Sequence, residues 1–356
     1  MDFFAQQDVA RRRTAWLIFY FCLAVVGIVA AFYFVALAGM VVAHTMDDEA
    51  ASWNPYLETL WHPRLFIRVA LVTVGVILLG SLYKTWRLAS GGKSVALMLG
   101  GRLVAPDTRD LAERRLLNVV EEMSLASGVP VPPVYVLDEE PSINAFAAGY
   151  QPADAVIGVS RGCLEYLNRD ELQGVMAHEF SHLLNGDMRL NLRLTGVVYG
   201  ILMIALAGFT LLRFMGLRQR RSREGGTGWR PGIPWLGFVA VAMLVIGSAG
   251  LFFARLIKSA ISRQREYLAD ASAVQFTRLP AGLAGALKKI GGRPETSKMK
   301  HAHAEEVSHM FFGSMFGSRR WQLFATHPPL AERIRRIDPT FDGKSPTQVP
   351  PVGAAS

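Results

Sequence analysis

Residues 170–187 read DELQGVMAHEFSHLLNGD, and the interpretation of the whole chain starts from them. The stretch contains His178, Glu179 and His182 inside a segment whose composition favours a single helix. Residues one turn apart project from the same side of a helix, so the two imidazoles can share one metal ion, with the carboxylate of Glu179 close by. The sequence therefore predicts a metal site on this helix.

The HExxH pattern of this helix is typical of zinc metallopeptidases, but it supplies only part of a site. A catalytic zinc ion needs three protein ligands and an open position for water, so a third ligand must come from elsewhere. Glu266, in the segment SRQREYLADASAVQF, is the best candidate. Asp270 lies one turn later on the same helical face. It is expected to accept a hydrogen bond from a ligand imidazole, and His178 is the preferred candidate for that imidazole. A surface salt bridge is the alternative for Asp270.

Peptide hydrolysis at such a site assigns roles to further residues. Glu179 is expected to take a proton from the zinc-activated water and to return it to the leaving amine. The oxyanion needs additional donors, and His327 and Arg333, in the segment ATHPPLAERIRRI, are the candidates. Both have plainer alternatives, because His327 could belong to a turn before a helix opened by two prolines, and Arg333 could be a solvated charge on that helix.

Composition places part of the chain in a membrane. Hydrophobic residues make up 51% of the 356 residues, and the mean hydropathy is +0.24. The net charge of +9 would fit a nucleic-acid partner, but the basic residues gather beside apolar runs and no nucleic-acid motif is found. The two cysteines, Cys22 in an apolar run and Cys163 in the polar part, are not expected to form a disulfide or a zinc–thiolate site. We expect a lipid bilayer and no nucleic acid as partner.

Apolar runs with few or no charges divide the chain. Each is about as long as, or longer than, the roughly 20 residues that a helix needs to cross a bilayer. The predicted segments are an N-terminal membrane anchor at 1–86 with spans 14–43 and 65–83, the first half of the peptidase domain at 87–193, a membrane hairpin at 194–254 with spans 194–212 and 231–254, the second half of the domain at 255–338, and a disordered tail at 339–356. The metal ion would join two halves of a domain that the hairpin separates in sequence, close to the membrane surface.

The polar segments predict a mainly helical α+β fold with a small sheet and about four transmembrane helices. Strands are expected at 134–138, 144–150 and 155–160, and helices at 107–127, 255–277 and 281–290. Asn168 or Asp170 is the expected N-cap of the HExxH helix. His301, His303 and His309 lie in a segment without matching acids and are interpreted as solvated histidines rather than a second metal site.

Charge around the apolar runs predicts the orientation in the membrane. Arginines precede the first run, an acidic loop follows it, and basic residues follow the second, which places the catalytic domain on the cytoplasmic side. The Arg-rich loop 213–230 disagrees, because four complete spans would put it outside. Three alternatives stay open: the third and fourth segments cross incompletely, this loop overrides the rule, or the orientation is reversed.

Four motifs together resemble the HtpX-like membrane zinc metalloendopeptidases, the family that also contains the CaaX prenyl endopeptidases. They are LNRDELQGVMAHEFSHLLNGD, NAFAAG, EYLADASAV and THPPLAERI, within residues 85–338. The resemblance implies a zincin-like (gluzincin) catalytic domain with one catalytic Zn²⁺ bound by His178, His182 and Glu266, and Glu179 as general base. It also implies that residues 144–147 form an edge strand to which substrate adds as another strand, with these residues in contact: Asn144, Ala145, Phe146 and Ala147. An ordinary core strand is the alternative.

These observations predict an endopeptidase that cleaves membrane or membrane-associated proteins, including misfolded ones, in the inner membrane of a bacterium. A prenyl-protein or regulatory processing peptidase is the second enzyme hypothesis. An intramembrane protease is disfavoured because polar residues flank the HExxH motif on both sides. A non-enzymatic scaffold held by zinc is disfavoured because a structural zinc site does not need the base Glu179.

Overall fold

The computed structural model describes residues 3–45, 60–88, 91–224, 233–292, 323–346 and 349–352. The chain forms two compact units. The first unit comprises Met1–Leu17, Arg87–Leu192 and Lys258–Ser356, and the second comprises Ile18–Trp86 and Arg193–Ile257. Several sequence predictions concern residues outside the described ranges: the acidic loop, residues 225–230 of the Arg-rich loop, and His301, His303 and His309.

Helices dominate the described residues. Their bounds are α1 Phe3–Thr45, α2 Pro63–Leu88, α3 Gly92–Met98, α4 Leu111–Ser127, α5 Arg161–Tyr166, α6 Arg169–Asn185, α7 Asp187–Glu224, α8 Ile233–Thr277, α9 Pro280–Gly291 and α10 Leu330–Ile337. A short 3-10 helix covers Pro152–Asp154. The predicted mainly helical α+β class is confirmed.

Within the part of the chain that the structure describes, one sheet has four strands in the order β1-β2-β4-β3. The strands are β1 Arg102–Leu103, β2 Val134–Leu137, β3 Ala145–Ala148 and β4 Val156–Ser160. β2 and β4 run parallel, whereas β1 and β3 pair antiparallel with their neighbours, so β3 is an edge strand. The three longer strands lie within the segments predicted from sequence, and the two-residue β1 had no sequence signal.

Among the described residues, four helices are long and apolar enough to cross a membrane: Phe4–Val42, Pro63–Arg87, Asp187–Met215 and Trp235–Thr277. Each extends beyond its predicted span at one end or at both, because the backbone stays helical where the apolar composition ends. Residues 213–224, predicted as part of a loop, continue α7. The helix predicted at 255–277 is likewise continuous with the preceding apolar run in α8.

The core of the first unit lies between the sheet and helices α4, α6 and α9, and α10 packs onto α9. The helices α6 and α9 approach closely at Gly174, where a Cβ would lie 2.6 Å from the backbone nitrogen of Leu283. This contact requires glycine, and it fixes α6 against the core. Phe341 is also buried in that core, and the backbone N–H of Val352 donates to the carbonyl of Glu165 at 2.7 Å. The described part of the tail therefore differs from the disorder predicted for it, since an aromatic side chain anchors it.

The second unit is held by small residues and by aromatic rings. A Cβ on Gly200 of α7 would lie 2.2 Å from the carbonyl oxygen of Ile77 on α2, so the two helices meet through a residue without a side chain. The Tyr33 hydroxyl donates to the carbonyl of Leu60 at 2.7 Å and accepts from the backbone N–H of His62 at 2.8 Å. These bonds join Tyr33 of α1 to the residues directly before α2.

Candidate metal centre

Local sequence fixes both ends of the helix that presents the HExxH residues. The Asn168 side chain accepts from the backbone N–H of Glu171 at 2.9 Å, and the Glu171 carboxylate accepts from the N–H of Asn168 at 2.8 Å. This capping box starts α6 at the position expected from sequence. Gly186 ends it in the left-handed conformation with φ 65°, which glycine adopts without a Cβ penalty. The next helix, α7, begins immediately at Asp187.

The structure brings the three predicted metal ligands together. The Nε2 atoms of His178 and His182 are 3.1 Å apart. Glu266 from α8 faces them, with its Oε2 3.7 Å from Nε2 of His178 and its Oε1 3.4 Å from Nε2 of His182. One ligand atom from each residue lies within 4.8 Å of the others. Two imidazoles and a carboxylate form a donor set that suits a catalytic zinc ion.

A carboxylate lies behind each imidazole, on the side away from the other ligands. The Nδ1 of His178 is 3.0 Å from Oδ1 of Asp270, as predicted for that pair. The Nδ1 of His182 is 2.8 Å from Oδ2 of Asp187. With Nδ1 donating to these carboxylates, each ring keeps a lone pair on Nε2, the form that a metal ligand needs. The residues present therefore fit a metal ion.

Arg333 is buried in the same network, with 1% of its surface exposed. It donates to both oxygens of Asp270, and its Nη1 lies 3.5 Å from Oε2 of Glu266. Two negative carboxylates thus surround its charge, and they raise the pKa of the guanidinium further although burial lowers it. The contacts favour a role in positioning the carboxylates, and the predicted role as an oxyanion donor stays a prediction.

His327 reaches the site from the segment that precedes α10. Its Nδ1 lies 2.9 Å from Oε2 of Glu266. Arg263 and Ser259 of α8 hold this segment: the Arg263 guanidinium donates to the carbonyl of Ala325 at 2.9 Å, and the Ser259 hydroxyl donates to the carbonyl of Leu323 at 2.9 Å. Placement of His327 therefore depends on two residues that no sequence motif points to.

Glu179 is buried at the site, with 1% of its surface exposed. Burial raises the pKa of its carboxyl to about 7, while His182 in its protonated form acts in the opposite direction. A carboxyl group with a pKa near neutrality can both accept and donate a proton. Burial lowers the pKa of His178 to about 4, which keeps this ring neutral. For His182, the contacts with Asp187 and Glu266 outweigh burial and raise the pKa.

The edge strand β3 contributes its backbone rather than its side chains. Residues 144–147 are all buried, with exposed fractions of at most 4%. The N–H of Ser160 donates to the carbonyl of Asn144, and bonded pairs alternate along an antiparallel ladder. Phe146 and Ala148 therefore bond to β4, whereas Ala145 and Ala147 direct their backbone groups to the other edge. The backbone N–H of Ala147 faces Glu179 and lowers its pKa, so this edge borders the candidate site.

Sequence reasoning missed two residues of the site, Asp187 and Arg265. Asp187 is the last residue of the stretch 170–187 and directly follows Gly186, which ends the helix. This position next to the HExxH helix was the one sequence feature that could have pointed to Asp187. Arg265 precedes Glu266 and is ion-paired with Asp187 in the folded chain. Residues so far apart in sequence give no spacing pattern, so the pair becomes visible only in the structure.

Comparison with known proteins agrees with the metal-site geometry and with the motifs of the sequence. Residues 110–340 match peptidase family M48. A "Protease HtpX homolog" of Dictyoglomus turgidum is 40% identical over 222 residues, covering 62% of this chain and 68% of the relative. One of Caldanaerobacter subterraneus subsp. tengcongensis is 42% identical over 223 residues (62% and 70%), and one of Streptococcus uberis is 34% identical over 262 residues (73% and 84%). Among solved structures, S. mikatae Ste24p shares 17% identity at a TM-score of 0.43, over 85% of this chain and 63% of that chain, and this likeness carries no functional argument.

The family match covers more than half of the chain, and the relatives are proteases. The protein is a multi-pass membrane protein, because four of its described helices are suited to crossing a membrane. Membership of the family implies a metal ion and polypeptide substrates. The resemblance inferred from the four sequence motifs is thereby confirmed, and the chain belongs to peptidase family M48.

Proposed function

We propose that the protein is a zinc-dependent endopeptidase that hydrolyses peptide bonds of membrane or membrane-associated proteins, including misfolded ones. The observation that carries this proposal is the convergence of His178, His182 and Glu266, whose ligand atoms lie within 4.8 Å of one another. Two of them come from α6 and one from α8, and a shared metal ion accounts for the meeting of three such groups beside the buried carboxyl group of Glu179.

The ligand residues would hold one zinc ion, which when bound acts as a Lewis acid on water and on the substrate carbonyl. Glu179 takes the proton of the attacking water and passes it to the leaving amine. Its burial beside the ligand residues supports this role, because an apolar environment favours the protonated form of a carboxyl group and so helps it to take up a proton. Asp270 orients His178, and Arg333 holds Asp270 and Glu266 in place.

Substrate is proposed to bind as an additional strand along β3. The backbone groups of Ala145 and Ala147 point away from β4, and the backbone N–H of Ala147 faces Glu179, so a peptide that paired with this edge would lie beside Glu179. Because the side chains of residues 144–147 are buried, binding through this edge would depend little on substrate sequence. Low sequence dependence suits a protease that acts on misfolded proteins. His327, close to Glu266, stays the candidate donor to the oxyanion.

Membrane proteins are the proposed substrates because α7, an apolar helix, begins at Asp187, two residues after the HExxH helix ends. The catalytic domain is proposed to face the cytoplasm of a bacterium from the inner membrane. The basic residues that flank the first and second apolar runs support this orientation.

The test compares the wild-type chain with Glu179→Gln in detergent micelles or liposomes, with an unfolded model protein as substrate. We expect the wild type to cleave it, and both Glu179→Gln and chelator-treated wild type to lose activity, while Glu139→Gln, an exposed carboxylate, keeps it. Equal activity of wild type and Glu179→Gln would refute the proposal. Cleavage of a defined prenylated peptide with no action on unfolded proteins would favour the processing peptidase instead.

A further inference from the structure

The second histidine of the motif is held by a pair of charged residues. Asp187 accepts from Nδ1 of His182 through Oδ2, at 2.8 Å, and its Oδ1 is paired with the guanidinium of Arg265. Arg265 also donates through Nη2 to the carbonyl oxygen of Asn185 at 3.0 Å. The three side chains are largely shielded from water, with exposed fractions of 16% for His182, 10% for Asp187 and 15% for Arg265.

The backbone explains why Asp187 reaches this position. Gly186 ends α6 in the left-handed conformation at φ 65°, and Asp187 follows as the first residue of α7. Without that turn α6 would continue, and the next side chains would follow its helical surface instead of lying behind the ring of His182. The Arg265 contact to the carbonyl of Asn185, the last residue of α6, holds the same turn from the other side.

Arg265 and Glu266 are consecutive on α8, so their side chains leave the helix about 100° apart. Glu266 faces the Nε2 atoms of the two histidines, whereas Arg265 reaches the carboxylate behind His182. One turn of α8 thus supplies the candidate metal ligand Glu266 and also Arg265, whose charge holds Asp187 behind His182.

His178 has an equivalent arrangement. Its Nδ1 faces Asp270, and Asp270 is paired with Arg333. Each ligand imidazole is therefore backed by an aspartate, and each aspartate by an arginine, although the two sets come from different parts of the chain. A carboxylate that accepts from Nδ1 fixes the tautomer and orientation of a ligand imidazole, and both histidines have such a partner.

We propose that Asp187 and Arg265 are positioning residues that hold His182 with Nδ1 protonated and Nε2 directed at the metal ion. This inference rests on the metal site proposed above. Asp187 orients the ring, and Arg265 keeps the carboxylate in place and balances its charge in a site that little water reaches.

Loss of such a partner typically lowers metal affinity about 10- to 100-fold. We expect Asp187→Asn to fall within this range, because the amide loses the charge that pairs with Arg265. Arg265→Ala should weaken zinc binding as well, since it leaves Asp187 unpaired. Arg265→Lys should restore part of the affinity because it keeps the charge but cannot form the same two contacts. The matched control is Asp138→Asn, which removes an aspartate paired with Arg161 at 2.6 Å outside the site.

The experiment measures the zinc affinity of the purified full chain in detergent, by competition with a chromogenic chelator, and the d–d absorption bands of the Co²⁺-loaded protein. We expect weaker zinc binding and shifted Co²⁺ bands for Asp187→Asn and Arg265→Ala, partial recovery for Arg265→Lys, and wild-type values for Asp138→Asn. Wild-type zinc affinity and unchanged bands in the folded Arg265→Ala and Asp187→Asn variants would overturn the inference. If Asp187→Asn does not fold, the difference between Arg265→Ala and Arg265→Lys decides: equal affinities in these two overturn it.

The same measurements separate this inference from the proposed function. Failure of the wild type to bind zinc, or full activity of Glu179→Gln, would count against the metallopeptidase itself. Zinc binding by the wild type, together with an inactive Glu179→Gln and an unaltered Asp187→Asn, would remove only the positioning pair.

Discussion

Arg333 holds Asp270 by two parallel hydrogen bonds, from Nε to Oδ2 at 2.9 Å and from Nη2 to Oδ1 at 2.7 Å. Both residues are buried, and neither charge has access to bulk water. A planar guanidinium matches a carboxylate in this way and a lysine cannot. The pair joins α10 to α8, and through Asp270 it reaches the ring of His178.

Removing one partner of this buried pair should cost about 3–5 kcal/mol, because the other charge is left uncompensated. We therefore expect Arg333→Ala to lower the free energy of unfolding by that amount and to reduce bound zinc. Arg333→Lys should be milder in both respects. Urea unfolding and metal analysis measure the two effects. Arg335→Lys, an exposed residue of the same helix, should stay within about 0.5 kcal/mol of wild type; a similar loss there would argue against a specific role for Arg333.

The two left-handed helix ends at Gly186 and Gly128 offer a matched comparison. Their φ angles are 65° and 72°, and a Cβ at either position would meet no atom within 4 Å. Alanine at each should cost about 1–2 kcal/mol, since only the backbone conformation is penalised. Gly186→Ala should also weaken zinc binding, because this turn lies between His182 and Asp187, whereas Gly128→Ala should not. Thermal unfolding and zinc titration of the two variants check this, and equal zinc affinities would contradict it.

Metal removal should destabilise the peptidase domain. A metal ion that binds only the folded chain adds stability in proportion to the logarithm of its concentration over its Kd, about 4 kcal/mol at 1,000 times Kd. We expect chelator to lower Tm and zinc to restore it. Glu179→Gln should show the same shift, because it keeps all three ligands and cannot digest itself. A Tm that does not respond to chelator in Glu179→Gln would mean that these ligands hold no metal.

Arg263 should affect catalysis through the segment that carries His327. Its guanidinium donates to the carbonyls of Ala325 at 2.9 Å and Leu323 at 3.4 Å. Arg263→Ala should release this segment and lower kcat several-fold with little change in bound zinc. Ser259→Ala, which removes the bond to the carbonyl of Leu323 and the bond accepted from Arg263 but keeps the Arg263 bond to Ala325, should do so less. Steady-state kinetics together with metal analysis measure both. Unchanged kcat in Arg263→Ala would show that His327 does not need this support.

Phe146 lies in the segment predicted to bind substrate, yet its side chain is buried in a small core beside Tyr135 and Leu137. Phe146→Ala should therefore cost about 3–5 kcal/mol of stability through the cavity it leaves. Phe146→Leu should cost less and leave KM close to the wild-type value, because the β3 backbone is kept. A large rise in KM for a folded Phe146→Leu protein would instead indicate direct contact between this ring and the substrate.

The sequence alone determined the features that rest on local pattern. Helical spacing places His178 and His182 on one face, the capping residue Asn168 and Gly186 delimit their helix, and apolar runs identify four membrane helices. Glu266 and Asp270 were identified as a pair by the same spacing rule. The family resemblance also followed from sequence, because the motifs that contain these residues are specific in type and in order.

Only the tertiary structure decided which residues stand behind the ligands. Asp187 and Arg265 form an ion pair although the membrane hairpin separates them in sequence. Arg333 is hydrogen-bonded to Asp270. The side chains of β3 are buried, and its backbone edge faces Glu179. The physical reason is that helical and strand periodicity specify the direction of a side chain relative to its own element. Ion pairs between distant segments depend on how those elements pack, and a single sequence carries no local record of that.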